Sequence, residues 1–227
     1  MKNLLFILVF APKFLFGQVE FEKRYGKGIL EVNTTGDYSK FDFYKNPGDP
    51  NPIIQIEFRS YYDSSKSCHE YSYEKVIGAD SIFVPELLHR SESCVPFQLN
   101  LAFVQEKKGF YQVIMNTSMK RKLVWLKKSD LIKELSFADY YKTMCSVEMV
   151  DTAMRVREVS SKYARIVFDQ AVLGLQQNEY AVKCLAIKGY QMQVSITFTD
   201  LSKKPVTGWI YWRNDTDLLI SYNLMCC

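Results

Sequence analysis

At 227 residues, with 48% hydrophobic and 24% charged side chains, the chain has the composition of a folded globular protein, since disordered segments are poor in apolar residues and rich in net charge. Its formal charge of +4 is far from the strong basic excess that marks a nucleic-acid surface, which sets that class aside. The length suits one large domain or two small ones, at roughly 100–200 residues per domain.

The chain opens with MKNLLFILVFAPKFLFGQ, in which a basic Lys2, an apolar run from Leu4 to Ala11 and a small Gly17 before Gln18 fit a cleaved secretory signal over residues 1–17. Pro12 and Lys13 interrupt the apolar run well before the roughly 20 residues that span a bilayer, so no membrane span is expected. With the Cys that a bacterial lipoprotein signal needs replaced by Gln18, the mature protein is expected to be exported and not lipid-anchored.

Two halves of the chain carry parallel patterns, and such self-similarity has to be read before any single motif. Phe41 and Phe43 alternate, with Ile53-Ile54 following; Met154 and Val156 alternate, with Ile166-Val167 at the same spacing. The stretches between, KNPGDPNP at 45–52 and EVSSKYA at 158–164, are turn-forming and read as exposed loops between two strands. LAFVQEKKGFYQVIM (101–115) matches YAVKCLAIKGYQMQVSI (180–196): an alternating strand, a turn at Lys108-Gly109 or Lys188-Gly189, then a strand reaching Val113 or Val194. A polar loop and a Trp-centred strand follow each hairpin, VWLKK at 124–128 and GWIYW at 208–212. Short strands with Gly-marked turns predict an all-β fold, a small barrel or sandwich.

That order, occurring twice, resembles the bacterial Src-homology-3-like domain over roughly 28–130 and 150–222. The resemblance implies two tandem five-stranded SH3-like barrels: residues 18–130 with an insertion at 59–98, and residues 150–227 including a C-terminal tail, joined by a linker at 131–149. It further implies a targeting or ligand-binding module without chemistry of its own, with cell-wall peptide as the common ligand. The insertion and the long ending WIYWRND followed by LLISYN depart from the family pattern.

The insertion is polar and tyrosine-rich, with no regular structure evident, and long loops of that kind tend to be functional or mobile. Cys68 and Cys94 lie inside it, bracketing one polar segment, and are expected to bridge; Cys145–Cys184 is a second candidate pair. Six cysteines fit an oxidising compartment, but their connectivity is not fixed by one sequence. Adjacent Cys226 and Cys227 would be strained as a pair and are candidates for pairing elsewhere or linking chains. In the linker, Ser136-Phe-Ala-Asp139 has capping-box spacing, predicting one short helix that either sets the angle between barrels or plugs the first.

Trp209 and Tyr211 would share one strand face, with Ile210 and Trp212 on the other. Aligning Trp209 with Trp125 turns Ile210 and Trp212 inward and leaves Trp209 and Tyr211 either as a stacking surface or as a face covered by a neighbouring barrel or loop. The expected ligand-binding residues are Trp209, Tyr211 and Arg213 with Tyr190, the rings giving apolar contact and Arg213 a carboxylate partner. The matching surface of the first copy would be Trp125 with Tyr44 and Tyr111.

Enzyme readings find little support. Cys68-His69 are adjacent, so in an extended chain their side chains point to different faces; His89 and Cys94 could approach, though Cys94 is better used in a bridge. No GxSxG, HExxH or phosphate-cradling Gly loop occurs. With no CxxC and two histidines, neither a metal site nor a cofactor is expected. Asn33, Asn116 and Asn214 head glycosylation sequons, which matter only in a host that glycosylates. The expected function is thus a non-enzymatic exported module, periplasmic or extracellular, whose partner is a cell-wall peptide or an envelope protein. The second expectation is an assembly protein that oligomerises through its aromatic faces and the Cys226/Cys227 tail; an accessory subunit acting through the insertion is the third.

Overall fold

The structure is a computed structural model in which residues 21–33, 38–63, 68–77, 88–89, 98–115, 122–143, 146–150 and 153–223 are described. The chain is all-β, built of antiparallel sheets with a few short helical segments. It divides into two compact units. One is Glu22–Ser136; the other combines Met1–Phe21 with Phe137–Cys227.

In the first unit a helical turn at residues 21–25 (α1) leads into β1 (Gly28–Asn33), β2 (Tyr38–Tyr44), β3 (Ile54–Asp63), β4 (Cys68–Ile77), β5 (Leu88–His89), β6 (Gln98–Lys107), β7 (Phe110–Met115), β8 (Lys122–Lys127) and β9 (Ile132–Leu135). They form one nine-stranded sheet in the order β4-β3-β2-β8-β7-β6-β1-β9, with β5 on β6. The core is the period-2 inward set of these strands: Leu30 and Val32, Phe41 and Phe43, Ile54 and Ile56, Leu99, Leu101 and Phe103, Val113 and Met115, Val124 and Leu126. The loop KNPGDPNP closes through Asn46, whose backbone N–H donates to Asp49 Oδ2 at 2.8 Å, and through Gly48 at φ 89°.

Part of the 59–98 segment is regular structure. β3 and β4 pair from Gln55↔Ile77 to Asp63↔Cys68, so the tyrosine-rich run extends the sheet rather than leaving it. Aromatic residues favour the pleated strand over the loop expected from polarity alone. Cys94 lies outside the described residues, as do the side chain of Cys68 and the proposed bridge between them.

The second unit holds α2 (Phe137–Thr143), β10 (Ser146–Met149), β11 (Arg155–Arg157), β12 (Ile166–Asp169), α3 (Gln170–Leu173), β13 (Tyr180–Lys188), β14 (Gln191–Phe198), β15 (Val206–Tyr211) and β16 (Ile220–Asn223). Its five-stranded sheet runs β12-β11-β15-β14-β13, beside a β10-β16 pair. The first unit carries the corresponding run β3-β2-β8-β7-β6, with β1 and β9 next in line. The β10-β16 pair is tied to β13 in the place that β1 and β9 hold beside β6, because Ser146 Oγ accepts from the Val182 N–H at 3.2 Å. Helical residues precede the first strand of each set, 21–25 before β1 and α2 before β10. The long C-terminal ending thus has a structural use: it supplies β16, as the chain after β8 supplies β9.

The registers coincide in detail. Trp125 pairs with Gln112 and Tyr44, Trp209 with Gln193 and Arg157. A bulge interrupts β6 between Phe103 and Gln105, and another interrupts β13 between Cys184 and Ala186, each at the residue after the one facing the β7 or β14 valine, Val113 or Val194. The turns differ. Lys108 and Gly109 both have positive φ, 51° and 77°, whereas in the second hairpin Gly189 does at 59° and Tyr190 does not. Both are two-residue connections whose left-handed geometry matches strand twist. The change places Tyr190, a large side chain, where the first unit has Gly109.

Segment 131–149, expected as a linker, is divided between the units. β9 pairs with β1, and α2, with Asp139 in its first turn and Lys142 in its last, buries Tyr140 and Tyr141 in the second unit.

Candidate binding face and aromatic cluster

β15 alternates strictly: Gly208, Ile210 and then Trp212 are buried, Ile210 and Trp212 to 3% exposure, whereas Thr207 and Tyr211 are exposed and Trp209 is half-buried. Gln191, Gln193 and Ser195 of β14 are likewise partly open while Met192, Val194 and Ile196 are buried. Cross-strand neighbours on an antiparallel sheet lie within side-chain contact. Trp209 is therefore flanked by Gln193 and Arg157, and Tyr211 by Gln191. The result is an aromatic pair bordered by amides and a guanidinium, a surface able to stack on an apolar or ring-bearing group while offering hydrogen bonds at its margin.

The loop between β11 and β12 borders this face. The Ser160 hydroxyl donates to the Gln191 side-chain oxygen, and Glu158 N–H donates to the Arg165 carbonyl at 2.9 Å. Tyr163, 85% exposed with Lys162 Nζ 4.8 Å from its ring centre, and Val159 stand on that loop. The turn-forming composition of EVSSKYA predicts an exposed loop but assigns it no binding role. An exposed tyrosine inside a turn-forming loop was the available signal.

Arg213 and Tyr190 belong to a different environment. Arg213 is 9% exposed, with its guanidinium carbon 4.1 Å from the Phe21 ring centre, 4.8 Å from Tyr190 and 5.4 Å from Trp212. A cation held over ring faces is attracted by their quadrupoles, by about 2 kcal/mol when desolvated. The Tyr190 hydroxyl donates to Asp215 Oδ1 at 2.7 Å. Burial and then that hydrogen bond push the Tyr190 phenol above its ordinary pKa, against the pull of Arg213. Trp212 is fixed at both ends, its indole N–H donating to the Gly189 carbonyl at 2.9 Å and its backbone N–H to Tyr190 O at 3.1 Å. Asn214 shapes the following turn, its side-chain oxygen accepting from the N–H groups of Thr216 and Asp217 at 2.8 and 2.6 Å. The expected role of Arg213 as an open carboxylate partner is corrected on this geometry: it is 9% exposed and its guanidinium lies among the Phe21, Tyr190 and Trp212 rings.

In the first unit the expected surface does not form. Trp125 and Tyr111 are each 7% exposed. Tyr111 sits in the core cluster, edge-on to Phe103 at 5.5 Å. Val124, Trp125 and Leu126 are all buried, so the middle of β8 is covered on both faces, while Leu123 at its start is exposed. Tyr44 is half-buried, edge-on to Phe110 at 5.7 Å.

Cys184 is a buried free thiol, which burial pushes up to about 11 while Lys142 pulls it the other way. Its candidate partner Cys145 lies outside the described residues, as do Cys226 and Cys227. Among the described residues no group of three or more His, Cys, Asp or Glu could hold a metal ion, and no helix is long and apolar enough to cross a membrane. No family model, curated protein or solved structure matches the chain.

Proposed function

We propose that the chain is an exported, non-enzymatic binding module of two tandem SH3-like barrels, the first carrying the 59–98 segment, and that it holds a cell-envelope ligand such as a wall peptide. The observation that carries the reading is the Trp209/Tyr211 face with Gln191, Gln193 and Arg157 at its edge and Tyr163 on the adjoining loop. The shared strand order of the two units supports the tandem arrangement. Among the described residues the face is open in the second unit, whereas Trp125 and Tyr111 are buried in the first. Binding is accordingly assigned to the second unit and a supporting role to the first.

A titration of soluble wall peptide followed by tryptophan fluorescence tests this reading. Trp209→Ala is expected to weaken binding about tenfold or more, the scale of a lost aromatic anchor, with an unchanged melting temperature. Equal affinity for wild type and variant sinks it. The alternative, an assembly protein linked through Cys226/Cys227, predicts a covalent dimer on a non-reducing gel that reductant dissolves.

A further inference from the structure

The second unit is discontinuous. The described part of its N-terminal segment is Phe21 alone, after which the chain leaves for the first unit and returns at Phe137. Phe21 is nevertheless 2% exposed. Its ring lies edge-on to Trp212 at 5.6 Å and to Phe137 at 5.9 Å, with the Arg213 guanidinium carbon 4.1 Å from its centre. The walls of this position brace one another without it. Tyr141 packs on Trp212 at 5.7 Å, Phe137 on Trp212 at 5.6 Å, and Trp212 is pinned by Gly189 and Tyr190. A phenyl side chain delivered from a distant segment thus fills a socket whose other sides come from α2, the β13–β14 turn and the end of β15.

We propose that this socket is a phenylalanine-binding site of the second unit, held shut in cis by Phe21, and that its ligand in trans is a peptide segment bearing a phenylalanine. The resident side chain supplies the chemistry: a phenyl ring edge-on to Trp212 and Phe137, with the Arg213 guanidinium over its face. A tethered occupant competes at high effective concentration, so the site accepts an outside phenylalanine only in the fraction of molecules that has released its own. The site is separate from the open Trp209/Tyr211 face and stands whether or not that face binds wall peptide.

The test uses the full chain and two labelled peptides, VEFEKRY, the sequence of residues 19–25, and VEAEKRY. Fluorescence anisotropy is read for wild type and Phe21→Ala, with near-UV circular dichroism to report intact packing. Phe21→Ala is expected to bind VEFEKRY at least about tenfold more tightly than wild type does and to discriminate against VEAEKRY by a similar factor, as release of a competing cis occupant requires. Binding of VEFEKRY by neither folded protein, or equally by both, overturns the proposal. If Phe21→Ala does not fold, Phe21→Leu, which underfills the socket, takes its place: tighter binding than wild type supports the proposal, and unchanged binding overturns it.

Discussion

The guanidinium carbon of Arg213 stands 4.1 Å from the centre of the Phe21 ring, joining residues from opposite ends of the chain within one compact unit. Its neighbours Tyr190 and Trp212 complete an aromatic enclosure around a charge that is 9% exposed. Arg213→Ala removes both the cation and the methylene stem packed among the rings. It is expected to destabilise the second unit by about 2 kcal/mol, on the scale of a desolvated cation–π contact, seen as a lower urea midpoint. A midpoint equal to wild type contradicts the enclosure.

Gly208 is required by close approach, not by backbone angle. A Cβ there would fall on the Arg157 carbonyl oxygen and lie 2.5 Å from Val156 Cγ1, so β11 and β15 could not keep their pairing. Gly208→Ala should cost about 1–3 kcal/mol or more, the range for overpacking a tight site. Thr207→Ala, one residue earlier and exposed, should stay within about 0.5 kcal/mol. Thermal unfolding of the two variants distinguishes them, and equal melting temperatures contradict the packing.

Cys184 gives a pH signature. Its thiol has a folded pKa of about 11 against a reference value of 9.0, so the folded state holds the proton longer than the unfolded state. Where the unfolded chain binds fewer protons, stability falls as pH rises. The contribution of Cys184 is therefore fully present below pH 9 and is lost as pH climbs toward 11. Tyr190, raised for the same first cause, adds to the fall at the upper end. Urea unfolding of wild type and Cys184→Ala from pH 8 to 11 is expected to show a shallower loss in the variant. At pH 8 iodoacetamide should label Cys184 only after denaturation; equal labelling of the native chain contradicts its burial.

Tyr163, at 85% exposure, separates binding from stability. Tyr163→Ala should leave the urea midpoint within about 0.5 kcal/mol and still weaken wall-peptide binding by a measurable factor of about three. A variant that binds as wild type removes the loop from the face.

The β15 pattern was legible because a strand with one buried face repeats every two residues: Ile210 and Trp212 went in, and Tyr211 came out. The same argument failed for Trp125. Val124-Trp125-Leu126 is a continuous apolar run buried on both faces, although Leu123 before it is exposed, and period-2 reasoning does not apply to such a run. Tyr111 was misplaced with it. The 59–98 segment looked like a loop because alternating tyrosines and charges resemble solvent-exposed chain until a partner strand is known, and that partner, β4, lies inside the same segment. Phe21 had no sequence signal at all, since a contact between residues 21 and 213 leaves no periodicity in either neighbourhood. Arg213 continued the Trp209 and Tyr211 alternation on paper, but β15 ends at Tyr211, and the chain turns through Asn214 toward β16.

The most direct measurement is co-sedimentation of the oxidised chain from Gln18 onward with purified peptidoglycan, beside Trp209→Ala and Trp125→Ala. Binding through the second unit's open face predicts that wild type and every Trp125→Ala molecule that folds pellet together, while folded Trp209→Ala stays in solution. Pelleting of Trp209→Ala to the wild-type extent, or no pelleting of wild type at all, contradicts the account.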